Sequence, residues 1–224
     1  MKVRIKLSPN QIAQLLRCAG IGVEKLTKLA IELGDLVDPP LRPDLLLEEF
    51  TKLLGPEDAE FLLDQLLSLS VSIRASDSKS VDVTQAIQNA IENAADREKW
   101  DSIALCIQTL IDSAPIRLVT KAMELSYDHA NLLRRGRILT DLRPIFDEEG
   151  SAVEAGVVTH TLRIAYVSDD GRHELSMALD LQDILKFKEQ CERAIRKAST
   201  VRDMFTLSTK KPCLISGEAE ETDV

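Results

Sequence analysis

The chain has 224 residues, 44% of them hydrophobic and 29% charged, and carries a formal net charge of −9. That balance excludes a disordered chain and leaves enough apolar material for one large core or two small ones. The acid excess argues against a general nucleic-acid binder, which needs surplus Lys and Arg to neutralise phosphate, but it allows a local basic patch.

Helical patterning fills the first half. Ser8-Pro9-Asn10-Gln11 combines an N-cap serine, a proline at the first helical position and a capping-box glutamine, and predicts a helix to about Ala19. Gly20 and Gly22 break it, and a second helix is expected over about 23–36. The proline-rich Asp38–Pro43 connector is non-helical by pattern, and Asp44 reads as the cap of a helix through Leu46, Leu47, Phe50, Leu53 and Leu54, stopped by Gly55-Pro56. Another helix runs from Pro56 through Phe61, Leu62, Leu66 and Leu67. The serine-rich 71–81 stretch reads as a loop, after which Asp82 or Thr84 opens a helix through Ile87 and Ile91. Trp100, Ile103, Leu105 and Ile107 mark a helix ending near Pro115. A last one over about 116–133 places Leu118, Ala122, Leu125 and Leu132 on its apolar side.

The apolar period changes at Arg137. Residues 138–146, 156–167 and 172–180 alternate, as half-buried strands do. Val158, His160, Leu162, Ile164 and Tyr166 share one face of the second run, and His173, Leu175, Met177 and Leu179 share one face of the third. Asp169-Asp170-Gly171 between those runs is a hairpin signal, and Pro144 assigns the first run to an edge or a bulge. After Asp180 a 3.6-residue period returns for some 25 residues, with Leu181, Ile184, Leu185, Cys191, Ile195, Ala198, Val201 and Phe205 as an apolar stripe.

The fold class this predicts is α+β: an all-helical domain over 1–136, then a β-β-β-α domain over 137–207 whose three-stranded antiparallel sheet is covered by the long C-terminal helix. The acidic tail over 208–224, with Glu218, Glu220, Glu221 and Asp223, is expected to be disordered.

Few residues advertise chemistry. His129, His160 and His173 are the only histidines. A metal site from His160, His173 and Cys191 lacks a fourth ligand and a known spacing, so hydrogen-bonded sheet histidines are the simpler reading. Acidic runs such as Asp147-Glu148-Glu149 fall in turns or on helix surfaces, where solvated acids are ordinary. Phosphate-loop, dinucleotide-binding, serine-hydrolase and zinc-protease motifs are all missing from the sequence. No cofactor is implied. Cys18, Cys106, Cys191 and Cys213 form no CxxC, and neither the Met1-Lys2-Val3-Arg4 start nor any window resembles a signal peptide or a span of ~20 apolar residues. A reduced, cytoplasmic setting is expected.

The densest basic cluster is Arg134-Arg135-Gly136-Arg137, with Arg143 nearby. It reads either as a contact for an acidic partner, a phosphoinositide head group or a nucleic-acid backbone, or as a helix C-terminus with Gly136 as its C′ residue. A unit of about 70 residues has a thin core and gains stability by packing on another domain or a second copy. The residues expected to mediate interaction are therefore Arg134, Arg135, Arg137 and Arg163, with Ile195, Val201 and Phe205 on the helix. The alternative is an enzyme or small-ligand protein with a site between the helical half and the sheet, using His160, His173, Tyr166 and Arg143.

The runs Ile138–Phe146, Thr161–Val167 and Glu174–Asp180, followed by the helix after Leu181, resemble in their order the COMM-domain family. That resemblance implies a helical N-terminal domain ahead of a three-stranded sheet and closing helix. It also implies a non-enzymatic adaptor that forms dimers or larger assemblies through its C-terminal unit.

Overall fold

The computed structural model describes residues 8–218. The chain divides into two units on either side of the Leu125–Ser126 bond. Seven helices precede three antiparallel strands and a long helix, so the class is α+β in the expected order.

In the first unit, α1 (Pro9–Arg17) starts as its sequence dictates: the Ser8 hydroxyl accepts from the Gln11 N–H, and the Ser8 N–H donates to Gln11 Oε1 at 2.8 Å. A 3-10 turn (Cys18–Ile21) leads to α2 (Val23–Gly34). The next helix, α3 (Pro43–Leu54), is capped at Arg42, not at Asp44. Asp44 lies in its first turn and pairs with the Arg42 guanidinium, which holds the carboxyl below its ordinary range. Gly55, at φ +82°, takes the left-handed conformation that separates α3 from α4 (Pro56–Ala75).

Of the serine-rich 71–81 segment expected as a loop, 71–75 are instead the last turn of α4, 76–79 are the connecting turn, and Ser80 and Val81 open the next helix. Ser72 and Ser76 donate to carbonyls one turn back, and Arg74 pairs with Glu124 at 2.6 Å. Serine composition favours loops only when its hydroxyls compete with the helix, and here they bond within it. Helices α5 (Ser80–Ala90), α6 (Ala94–Asp112) and α7 (Ala114–Tyr127) complete the unit. In α7 the buried face is Ile116, Val119 and Thr120; Leu118 and Leu125 are exposed and Leu132 lies beyond the helix. The core gathers side chains from all seven helices around Trp100, Phe50, Leu26 and Leu62, and the Trp100 indole donates to the Thr84 carbonyl at 3.2 Å.

In the second unit, β1 (Leu132–Phe146), β2 (Val153–Ser168) and β3 (Gly171–Leu179) form a sheet in the order β1-β2-β3. Strand pairing starts at Leu132, upstream of the expected change at Arg137. Arg134, Arg135 and Gly136 are thus strand residues, and the helix C-terminus reading of this cluster is corrected. Pro144 sits on an edge strand, where its missing N–H costs no ladder bond. Asp169 and Asp170 turn the β2–β3 hairpin, followed by Gly171 at φ +117°. Helix α8 (Leu181–Thr209) begins with a reciprocal cap, in which Asp180 Oδ1 accepts from the Asp183 N–H at 2.8 Å. It ends at Lys210 in the left-handed region, and Arg202 then pairs with Glu218 at 2.7 Å. Glu220, Glu221 and Asp223 of the expected acidic tail lie outside the described residues.

One expectation fails for α8: it does not cover the sheet. No residue of the helix is buried, and every buried side chain among the described residues lies between Leu15 and Thr120. At 29 residues, about 43 Å long, the helix extends well past a β3 of nine residues, about 30 Å.

Candidate interaction site

The ladder register sorts the sheet into two unlike faces. On one, the rows Leu133–Tyr166–His173, Gly136–Ile164–Leu175, Ile138–Leu162–Met177 and Leu142–Val158 are nearly all apolar. On the other, Arg135–Ala165–Glu174 and Arg137–Arg163–Ser176 are cross-strand rows, with Val167–Arg172 beside them.

The apolar face is uncovered. Leu133, Leu142 and Val158 are 60–70% exposed, and Ile138, Leu175 and Met177 are exposed as well. Ile195, Val201 and Phe205 on α8 are 68%, 61% and 43% exposed. Phe187 and Met204, which the stripe read from the sequence omitted, join them in exposure. Together Ile184, Phe187, Cys191, Ala194, Ala198, Val201 and Phe205 recur at intervals of three and four, the spacing of a helix that packs against another apolar surface.

The polar face gathers the arginines. A register shift between Leu133 and Arg135 leaves Arg134 without a ladder partner, so Arg134 and Arg135 both crowd the start of the strand. A cleft of about 420 Å3 is lined by Arg134, Arg135 and Arg172, by Glu174, and by residues of the β2–β3 ladder from Ala165 to Val167 and at His173. A smaller recess beside it is lined by Arg135, Arg137, Arg163 and Glu174. The four arginines expected to mediate interaction, Arg134, Arg135, Arg137 and Arg163, therefore line these two hollows, with Arg172 as a fifth that the sequence reading passed over. Its position directly after the Asp169-Asp170-Gly171 turn was the available signal, because a two-residue turn places it beside Val167. Among the described residues, no ion pair engages any of the five.

The remaining candidates stay apart. The His160 Nδ1 is 3.0 Å from the Thr140 hydroxyl, and the His173 Nε2 is 2.9 Å from that of Ser168. The two histidines share a face but are separated by several ladder rows, and Cys191 is exposed on α8. Among the described residues no three His, Cys, Asp or Glu side chains converge as a metal site would require. Arg143 pairs with Val157, toward the far end of β1. Asp147, in the β1–β2 loop, accepts from the Ser151 hydroxyl and N–H and the Ala152 N–H, which together hold its carboxyl below the ordinary range. It braces the loop. Among the described residues no single helix is long and apolar enough to cross a membrane.

No protein-family model matches the chain, and a comparison with curated proteins finds no match.

Proposed function

We infer that this protein is a non-enzymatic interaction module, and that its second unit associates with a second copy of itself. The carrying observation is that none of the second unit's described side chains is buried, while its sheet and helix both expose rows of Leu, Ile, Val and Phe. An isolated three-stranded sheet is marginal in water, and burying one Leu, Ile or Phe is worth about 1.5–3 kcal/mol. The sheet lacks a layer and the helix lacks a sheet. A second copy supplies both reciprocally, which is the arrangement a two-fold interface requires. The resemblance to COMM-domain proteins supports the same reading, since it implies adaptors that assemble through this unit.

Size-exclusion chromatography with light scattering on the full chain tests it. The wild type is expected at twice the monomer mass, and Ile195→Asp with Val201→Asp at the monomer mass. A strictly monomeric wild type at high micromolar concentration would remove the self-association reading.

A further inference from the structure

The arginine cluster has no role in that apolar association, and its composition calls for a ligand. Five arginines from three strands line the cleft and its recess with one acidic residue, Glu174, in a chain whose net charge is −9. Asp169 and Asp170, in the adjoining turn, line neither the cleft nor the recess. Like charges placed directly across a ladder, as Arg137 and Arg163 are, weaken a sheet unless an anion offsets them.

We propose that the polar face at the hairpin end of the sheet, around Arg135, Arg137, Arg163 and Arg172, docks an extended acidic segment of a partner protein. The proposal rests on the reading of this chain as an interaction module and names the chemistry of one partner. Charge complementarity selects an anion, and guanidiniums pair bidentately with carboxylates. The backbone selects an extended peptide. The strand β1 is an edge, so its outer row of N–H and C=O groups is open to an added strand. Arg135 and Arg137 are two residues apart, which spaces them by about 6.8 Å, the repeat of alternate side chains on an extended chain. Acids at every second position would therefore meet successive arginines. An anionic membrane is a poorer match, because a surface of that kind meets the acidic remainder of the chain as well as the cluster.

The test is fluorescence anisotropy with a labelled alternating Glu-Thr peptide of about eight residues, roughly 26 Å extended, titrated with the full-length protein. Binding that weakens with salt is expected, with loss of about tenfold or more in Arg135→Glu with Arg172→Glu. The double variant Arg143→Glu with Lys186→Glu makes the same change in net charge away from the cluster and should bind as the wild type does. Arg135→Lys with Arg172→Lys keeps the charge and should retain most of the binding, which separates loss of charge from misfolding. No binding, or equal loss in both charge-reversed variants, overturns the proposal. So does tighter binding of phosphatidylserine vesicles or single-stranded RNA through the same arginines, which would assign the cluster to a membrane or a nucleic acid. Light scattering on Arg135→Glu with Arg172→Glu should return the wild-type mass. A fall in mass would make the occupant a second copy and overturn the proposal while leaving self-association standing.

Discussion

Arg137 on β1 and Arg163 on β2 are direct partners across the antiparallel ladder, two cations facing one another. Their repulsion gives a prediction opposite to most strand substitutions. Arg163→Glu replaces a like-charge pair with an opposite one and should stabilise the sheet by about 0.2–1 kcal/mol, while weakening acidic-peptide binding. Thermal unfolding in low salt should show the gain, and added salt should shrink it. A lower melting temperature for Arg163→Glu would mean that the pair does not repel.

The reciprocal association implies that sheet and helix variants fail in the same way. Val158→Asp, placed on the apolar face opposite Leu142, should return the monomer mass just as the α8 substitutions do. The only tryptophan is Trp100, buried in the first unit, so its fluorescence transition should be unchanged in all of them. Monomer from one surface and dimer from the other would rule out reciprocal packing.

Trp100 itself anchors the helical core, fully buried with its indole N–H on the Thr84 carbonyl. Trp100→Phe loses that bond and some volume, at about 1–3 kcal/mol. Trp100→Ala should cost about 3–5 kcal/mol. Denaturant midpoints followed by far-ultraviolet circular dichroism give both values, and their order is the check.

Cys18 and Cys191 should differ sharply in reactivity. Burial pushes the Cys18 thiol up from 9.0 to about 11, whereas Cys191 is exposed on α8. At pH 8 a maleimide should label Cys191 well before Cys18. The same shift has a stability consequence. The folded state holds the Cys18 proton longer than the unfolded chain does, so its contribution is intact below pH 9.0 and is lost as pH rises toward about 11. Cys18→Ala should remove this part of the alkaline destabilisation, measured as the difference in melting temperature between pH 8, below that window, and about pH 10.5, in its upper part.

The Asp147 brace works in the opposite direction. Its carboxyl is held low by Ser151 and Ala152, so the support it gives the β1–β2 loop is present above the ordinary carboxylate range and is lost as pH falls through its depressed value. Hydrogen exchange of the Ser151 and Ala152 amides should be slow at pH 7 and quicken in Asp147→Asn. Unchanged rates would show that the loop holds without the charge.

Where the controlling interactions are local, the sequence was enough. The Ser8–Gln11 cap, the Gly55-Pro56 break, the Asp180 helix start, the alternation of β2 and β3 and the edge position of β1 all follow from bonds or steric limits within a few residues. Two of the misreadings share one cause, which is dependence on partners distant in sequence. Residues 71–75 stay helical where Arg74 reaches Glu124, fifty residues on. Arg134 and Arg135 look like a helix end by spacing, but strand pairing with β2 draws them into the sheet.

By itself, then, the sequence determined the α+β order and which residues are apolar, because periodicity and capping are written in adjacent positions. Only the tertiary structure decided that five arginines from three strands gather at one end of the sheet, since a bulge at Arg134 and a two-residue turn set that register. It also decided that α8 leaves its own sheet bare. An apolar stripe records that a surface must be buried, and carries no information about which chain buries it.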